Sequence, residues 1–416
     1  MVKLKIKLTR RKVLSMLAIG AFATLVVKDA AFNESDWVNE YMGEESWIGS
    51  FSRVLSKDLG GGKCKWEPPN YDVAETETFF KTLITGYPSG DKRLTFTQME
   101  ALTALPAKDE WAFQHLGMSN HPFIKTNYPH HEGVWGWDNA ADQVIMVVRN
   151  IRSAMVEYHD ILFDIGYAKT WEEVLQNIPN LYQEQPPMAD FLAWRDERVF
   201  DEIKWYGWFI DYWMEGGLMR DMFTNKITTP EHWNMLMVPT AHTAEELDYD
   251  LVVGADTVVE PTIDPNCEKI TNGCTPAKVI SAEKLVDHQA GPQVALDIAK
   301  LIEGKAGMNV IGAEARGCIW RELVINKKGH KTKVDRTGYG ETEYSFTADQ
   351  LDAMLAELER LIGKYSNDPW DTNEVAGSLV LLLEEHRGEI QTERDNMMYR
   401  RMKQRTNVLP RFADKH

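Results

Sequence analysis

One short stretch, residues 79–103, most limits what this chain can fold into. It reads FFKTLITGYPSGDKRLTFTQMEALT: an apolar run, a turn rich in glycine and proline, two cations and then a helical pattern. Gly86 and Gly90 let the backbone turn tightly, and the N-terminus of a following helix directs free N–H groups at an anion. The stretch is not a Walker A loop, because GxxxxGK[ST] is absent. It predicts a strand, a loop and a helix that bind phosphate, although such a turn is also common in ordinary connections.

Two later segments also read as a strand followed by polar residues. Val144–Val148 is an apolar, β-branched run typical of a buried parallel strand, and Arg149 and Arg152 follow it where a helix begins. Phe123–Pro129, FIKTNYP, is a shorter apolar strand that ends in a polar turn. Ligand groups lie at strand ends in open α/β sheets. Together these segments predict a single α/β domain with a central parallel sheet.

The segments GYPSGDKRL, IKTNYP and DQVIMVVRNIRSAMVEYH resemble the sulfotransferase family, which uses 3′-phosphoadenosine 5′-phosphosulfate (PAPS). The resemblance spans roughly Asp72–Ile362. It implies a P-loop-like sulfotransferase fold, a three-layer α/β/α domain at residues 72–400 with a Trp-rich helical insertion. It also implies transfer of a sulfuryl group from PAPS to a hydroxyl acceptor, most simply a carbohydrate.

The resemblance also implies where the donor binds. The first loop would hold the 5′-phosphosulfate, with Lys92 or Arg93 near the bridging oxygen, and the end of the Val144–Val148 strand would hold the 3′-phosphate. The donor-binding residues that it implies are Ser89, Gly90, Asp91, Lys92, Arg93, Leu94, Arg149, Ser153, Arg336 and Gly338.

One position departs from the family pattern. Glu157 stands where the family has a serine, eight residues after Arg149. A carboxylate that faces a phosphate is repulsive. Either Ser153, which lies on the same helix face as Arg149, takes over the serine's role, or Glu157 points away and the donor site is altered. Arg152 is expected to reinforce Arg149.

The acceptor reaction needs a base that takes the proton of the attacking hydroxyl and a cation that stabilises the leaving oxygen. Lys92 is the candidate for that cation. Relatives place a histidine in a KTHxP segment, whereas this chain reads KTNYP followed by HHE. His131 and Glu132 are the first candidates for the base and His130 is the next, unless this segment is only an exposed turn. HHE lacks the helical spacing of HExxH, so we predict no metal.

The charge of the chain limits its partners. The net charge is −17, and residues 1–12 hold six cations and no acidic residue, so the remainder carries −23. Nucleic acid is therefore not an expected partner. Neutral acceptors are favoured over highly anionic polymers. The sequence leaves a homo-oligomer open.

The N-terminus predicts export. A basic segment precedes the apolar run Val13–Val27, which is shorter than the ~20 residues of a typical span. We favour an uncleaved signal anchor at residues 1–30, followed by a stem at residues 31–71, because no A-x-A cleavage site follows the run. With the resemblance, this implies a type II protein of the Golgi membrane with a lumenal domain. A cleaved signal peptide or a twin-arginine signal, which TRRKVL resembles, would instead give a secreted or exported protein.

Cysteine usage agrees with export. The four cysteines permit two disulfides in three connectivities. Cys267 and Cys274 flank a turn, which favours their pairing and leaves Cys64 to pair with Cys318. The Asn33 sequon lies so close to the apolar run that we expect poor glycosylation if the anchor is retained.

The rest of the chain predicts mostly packing. Residues 170–237 are rich in tryptophan at helical spacing, with Asp196, Glu197, Asp211 and Glu215 as candidates to bind acceptor hydroxyls. Ala277–Val286 reads as a strand, within which Glu283 is structural by resemblance. Helices are predicted at Gln293–Glu303, Ala348–Ile362 and Ser378–Arg401, the last with i, i+4 ion pairs and no functional role.

Two other functions remain open from the sequence. The chain could be another P-loop-type enzyme, such as a nucleotide kinase, which would need magnesium. It could also be a catalytically inactive lumenal binding protein that keeps the fold, which the glutamate at 157 and the asparagine of KTNYP favour.

Overall fold

A parallel β-sheet lies at the centre of the fold. The computed structural model describes residue 69 and residues 78–88, 91–109, 121–126, 141–167, 186–217, 276–325 and 344–408. In this part of the chain the sheet has the order β2-β3-β1-β4-β5. Its strands are β1 (Thr82–Thr85), β2 (Ala107–Asp109), β3 (Phe123–Lys125), β4 (Gln143–Val148) and β5 (Lys278–Ser281). Every neighbouring pair is parallel.

Helices surround the sheet in the described ranges. They are α1 (Asp91–Thr103), α2 (Ile151–Asp164), α3 (Met188–Met214), α4 (Ala282–Val286), α5 (Gly291–Ile302), α6 (Ala313–Trp320), α7 (Ala348–Tyr365) and α8 (Glu374–Val408), with a π-helical turn at Arg321–Ile325. The predicted helices after β5 and at the C-terminal end are confirmed, and each differs from its predicted bounds by a few residues.

Both faces of the sheet are buried. Side chains alternate between the two faces of a strand. Accordingly, Leu83 of β1 and Met146 of β4 pack with α2, α3, α7 and α8 on one face. Ile84 and Ile145 pack with α1, α5 and α6 on the other. All six residues of β4 are buried, as expected for a parallel strand covered on both sides. The predicted α/β class with a central parallel sheet is confirmed.

The predicted strand at Ala277–Val286 is wrong in its second half. The strand ends at Ser281, whose hydroxyl accepts a hydrogen bond from the backbone N–H of Lys284 at 3.1 Å and so caps α4. An N-cap serine satisfies one of the N–H groups that a helix start leaves without an acceptor. The local cap therefore starts a helix at Ala282, where the strand was predicted to continue.

The described part of the Trp-rich segment forms α3, and most of its aromatic residues pack as predicted, with Phe200 exposed. Trp194, Trp205, Trp208 and Trp213 are each at most 6% exposed. Two of the acidic acceptor candidates, however, lie in a buried ion network between α3 and α7. Asp211 accepts from Tyr365 at 2.7 Å and pairs with Arg360 at 2.8 Å, and both Asp211 and Glu215 pair with Lys364. These two carboxylates join α3 to α7, and their role in binding an acceptor stays a prediction.

The described residues all belong to one compact unit, residues 51–416. Cys318 of α6 is disulfide-bonded. The disulfide partner of Cys318 lies outside the described residues, because Cys64, Cys267 and Cys274 all lie there. None of the helices in the described ranges is long and apolar enough to cross a membrane. The predicted anchor, stem and sequon lie outside those ranges.

Candidate functional site

The sheet order defines a crevice between β1 and β4. After β1 the chain goes to β2 on one side of the sheet, whereas after β4 it goes to β5 on the other side. In open α/β sheets, ligands bind outside the carboxyl ends of the strands at such a switch point. β1 and β4 are neighbours, with Thr85 opposite Met146. The loop after β1 and the residues after β4 therefore face the same crevice.

The loop after β1 approaches β4 as closely as a glycine allows. A Cβ atom on Gly86 would lie 2.4 Å from the carbonyl oxygen of Val147, which is too close for any other residue at the present spacing. α1 begins at Asp91, so the backbone N–H groups of its first turn lie beside the crevice. Such groups carry the positive end of the helix dipole and favour an anion.

Lys92 lies under this loop and is only 1% exposed. Its Nζ donates hydrogen bonds to the carbonyl oxygens of Gly86 at 2.6 Å and Tyr87 at 2.9 Å. A buried ammonium needs such acceptors. The arrangement holds the loop around a cation, and an anionic oxygen that enters the loop would be a better acceptor for that cation than a carbonyl.

The other donor residues predicted in this loop are only partly placed. Asp91 and Arg93 lie in the first turn of α1, but their side chains are outside the described part of the structure, as are Ser89 and Gly90. Leu94 packs in the core beside Ile84. Only the backbone of Leu94 is therefore available to a ligand.

Arg149 follows β4, and its guanidinium is paired. Nη1 lies 2.7 Å from Oε1 of Glu157, and the two side chains are 23% and 18% exposed. The carbonyl oxygen of Arg149 accepts a hydrogen bond from the hydroxyl of Tyr206 at 2.7 Å. Of the two arrangements expected for Glu157, the one in which it points away is not found. Glu157 therefore faces Arg149, the residue predicted to bind the 3′-phosphate.

Arg152 does not reinforce Arg149 in the expected way. Its Nη2 donates to the carbonyl oxygen of Tyr344 at 2.9 Å, its Nε pairs with Glu393 of α8, and its guanidinium lies over the ring of Phe346. These contacts join α2 to α8 and to the residues that precede α7. Ser153 lies in the first turn of α2 and is half-buried.

The end of β4 is also fixed by Glu283 and α8. The backbone N–H of Asn150 donates to Oε1 of Glu283 at 2.8 Å, and the side-chain amide of Asn150 donates to Glu389 of α8 at 2.8 Å. Burial would raise the pKa of Glu283, but His386, whose Nε2 lies 3.5 Å away, and the Asn150 N–H lower that pKa to about 2. This agrees with a structural role for Glu283. The sequence predicted only i, i+4 ion pairs within α8, and it did not predict these contacts of α8 with Asn150 and Glu283.

The sequence reasoning also missed Glu202 of α3. It is 4% exposed and accepts a hydrogen bond from the hydroxyl of Tyr87 at 3.1 Å, so it is joined to the β1–α1 loop. Burial raises the pKa of Glu202 to about 7, against the smaller lowering effects of Arg198 and Tyr87. One signal was present: Glu202 interrupts the apolar stripe of α3 between Val199 and Tyr206.

The remaining predicted site residues lie outside the described residues. They are His130, His131 and Glu132, the candidates for the base, and Arg336 and Gly338. Among the residues that the structure does describe, there is no group of three or more His, Cys, Asp or Glu side chains that could hold a metal ion.

Comparison with protein-family models, with curated proteins and with solved structures finds no match for this chain. The class of the protein therefore follows from its geometry alone. It is an α/β protein with a parallel sheet and a lysine-centred loop at the switch point of that sheet.

Proposed function

We propose that this protein is a sulfotransferase that moves a sulfuryl group from PAPS to a hydroxyl of an acceptor, most simply a carbohydrate. The observation that carries the proposal is the position of Lys92, buried beneath the β1–α1 loop at the switch point of the sheet. This fits a P-loop-like fold, in which a loop and a helix N-terminus surround a phosphate.

The chemistry needs little beyond positioning and charge. The acceptor oxygen attacks sulfur in line, and negative charge develops on the phosphate oxygen that leaves. Lys92 would bind that oxygen in place of one loop carbonyl, and the N–H groups in the first turn of α1 would bind the non-bridging oxygens. PAPS is a substrate here, and the proposal requires no metal.

The cellular setting is part of the same proposal. We place the catalytic domain in the lumen of the Golgi, behind the N-terminal anchor. The disulfide at Cys318 supports an oxidising compartment, since disulfides persist mainly in exported proteins.

One observation favours a second function, a binding protein without transferase activity. The ion pair between Arg149 and Glu157 gives the predicted 3′-phosphate site a carboxylate of its own. A 3′-phosphate would have to displace Glu157 or bind beside a like charge. A chain that had lost donor binding would be expected to change first at such a contact.

The test is calorimetric titration of the full chain with 3′-phosphoadenosine 5′-phosphate, beside the variants Lys92→Met and Arg149→Ala. Two matched controls are Lys300→Met and Arg394→Ala, because each removes an exposed or half-buried cation that pairs with a carboxylate outside the crevice. Binding that is lost in the first two variants and kept in the controls is the expected result.

Other results would change the conclusion. Absence of binding to the wild type would refute the sulfotransferase proposal. Binding without transfer to any member of a carbohydrate acceptor panel would favour the binding protein. Tighter binding of ATP with magnesium than of the bisphosphate would favour a nucleotide kinase.

A further inference from the structure

Four side chains form a cluster beside the β1–α1 loop. Tyr87 comes from the loop, Tyr158 from α2, and Glu202 and Trp205 from α3. The ring of Trp205 lies 5.1 Å from that of Tyr87 and 5.3 Å from that of Tyr158, between ring centroids. The hydroxyl of Tyr87 reaches Glu202 at 3.1 Å. Tyr87 therefore links the two groups: its carbonyl oxygen accepts a hydrogen bond from Lys92, and its hydroxyl donates one to Glu202.

The cluster contains a donor and an acceptor with unused capacity. Trp205 is 6% exposed, and within the described residues its Nε1 is buried without a hydrogen-bond partner. Glu202 lies three residues earlier, so both side chains project from one face of α3. A buried N–H without a partner is costly, so an acceptor oxygen that reached Trp205 Nε1 would be stabilised by it. A carboxylate has about four lone-pair positions, of which Tyr87 uses one and Arg198, at the longer distance of 3.5 Å, a second.

The cluster also extends to the protein surface. Tyr158 is half-buried, and the side chain of Arg198, whose Nη2 lies 3.5 Å from Oε1 of Glu202, is 38% exposed. Glu202 itself is nearly inaccessible, at 6% of its side chain. The rings of Tyr158 and Trp205 pack edge to face, and aromatic rings are the side chains that contact the apolar faces of sugar rings.

We propose that Glu202 and Trp205 form the acceptor-hydroxyl subsite, and that Glu202 receives the proton of that hydroxyl. The proposal rests on the sulfotransferase function proposed above. A hydroxyl donates one hydrogen bond and accepts others, so a carboxylate and an indole N–H satisfy it together. The class of substrate is an alcohol on a ring that can contact aromatic side chains.

The transfer step balances with these groups. The acceptor O–H bond breaks, and its proton goes to the Glu202 carboxylate. The electron pair left on that oxygen forms the new O–S bond, while the bond between sulfur and the bridging oxygen breaks. That oxygen keeps the electron pair as a nucleotide phosphate, beside the ammonium of Lys92.

The titration of Glu202 suits this role. Burial raises the pKa of Glu202 to about 7, so close to neutral pH the carboxylate is present and is a stronger base than an exposed glutamate. The hydrogen bond from Tyr87 and the charge of Arg198 lower that pKa, so both control how much carboxylate forms. Perturbed acids of this kind are concentrated at functional sites.

The test is the rate of 3′-phosphoadenosine 5′-phosphate release from PAPS by the full chain, measured across pH with water as the only acceptor. A base positioned for a bound hydroxyl also takes a proton from water in the same place. We expect the wild-type rate to rise with pH through about 7. In Glu202→Gln the rise disappears and the rate falls at least tenfold, while calorimetry gives an unchanged affinity for the bisphosphate.

Three further variants separate a catalytic role from a structural one. Tyr87→Phe removes a hydrogen bond that lowers the pKa of Glu202, so the midpoint of the pH profile moves upward. Trp205→Phe keeps an aromatic ring but removes the N–H, so the rate falls and the midpoint stays. Glu384→Gln, an exposed substitution on α8, leaves both unchanged.

Each other outcome has a distinct meaning. If the wild type does not bind the bisphosphate, the sulfotransferase proposal fails, and the acceptor subsite fails with it. If it binds but shows no release of the product, or if Glu202→Gln keeps the wild-type pH profile, the role of Glu202 is overturned while donor binding stands. If Glu202→Gln does not fold, an unmoved midpoint in Tyr87→Phe overturns it instead.

Discussion

Replacing Glu202 with glutamine is predicted to stabilise the protein above neutral pH and to leave its stability unchanged in acid. Burial raises the pKa of Glu202 from 4.5 to about 7. A native state that holds its proton more tightly than the unfolded chain loses stability as pH rises. The loss begins near the unfolded pKa of 4.5 and is complete above about 7. Glutamine has no charge to desolvate and can still accept the hydrogen bond from Tyr87.

The magnitude follows from the size of the shift. At about 1.4 kcal/mol for each pKa unit, the ionised carboxylate costs about 3 kcal/mol when fully formed. Between about pH 5 and about pH 8, the difference in free energy of unfolding between variant and wild type should grow by about 2.5 kcal/mol in favour of the variant. The raised pKa already includes the opposing effect of Arg198, whose Nη2 lies 3.5 Å from Oε1 of Glu202, so that ion pair needs no separate correction.

The assay is urea unfolding followed by tryptophan fluorescence at the two pH values. Glu215→Gln is a matched control on the same helix, because Glu215 pairs with Lys364 at 2.6 Å and its loss should destabilise the protein at pH 8. The difference in free energy of unfolding between Glu202→Gln and the wild type could instead stay constant from about pH 5 to about pH 8. That result would show that Glu202 is ionised in the native state throughout, and it would refute the reasoning.

Three further predictions concern the ends of β1 and β4. Gly86→Ala places a methyl group 2.4 Å from the backbone oxygen of Val147, so thermal unfolding should show a loss of about 1–3 kcal/mol together with weaker bisphosphate binding. Glu157→Ser removes the carboxylate from Arg149 and should raise affinity for 3′-phosphoadenosine 5′-phosphate about fivefold by calorimetry; unchanged or lower affinity would mean that the phosphate does not bind there. Glu283→Gln should remove stability that the wild type has above pH 4.5 and loses as pH falls through about 2, so unfolding midpoints of the two proteins should converge in acid.

The elements of the fold were largely predictable because their signals are local. The apolar run before Gly86 and the β-branched run at residues 144–148 each form a buried strand. The helix after the glycine-rich loop and the helix that begins at residue 348 also follow the sequence pattern. A strand was overextended through residues 282–286, because the cap made by Ser281 is a stronger local determinant than hydrophobicity.

The candidate site was predictable only in part. Lys92 was identified because it lies in the first turn of α1, and Arg149 because it directly follows β4. Both boundaries are visible in the sequence. Glu202 was not, because a carboxylate within an aromatic helix looks like an ordinary polar position until its partner is known. The partners of Asp211 were not predicted for the same reason, since they lie on α7.

The sequence by itself determined the apolar strands β1, β3 and β4, the start of β5 and most of the long helices, because backbone propensity and hydrophobic period act over a few residues; it did not predict β2. Only the tertiary structure decided which charges meet. Tyr87 and Glu202 are separated by 115 residues and Asn150 and Glu389 by 239, so their contacts depend on how α3 and α8 pack against the sheet. That packing depends on burying apolar surface on both faces at once, and it is this burial that gives Glu202 its raised pKa.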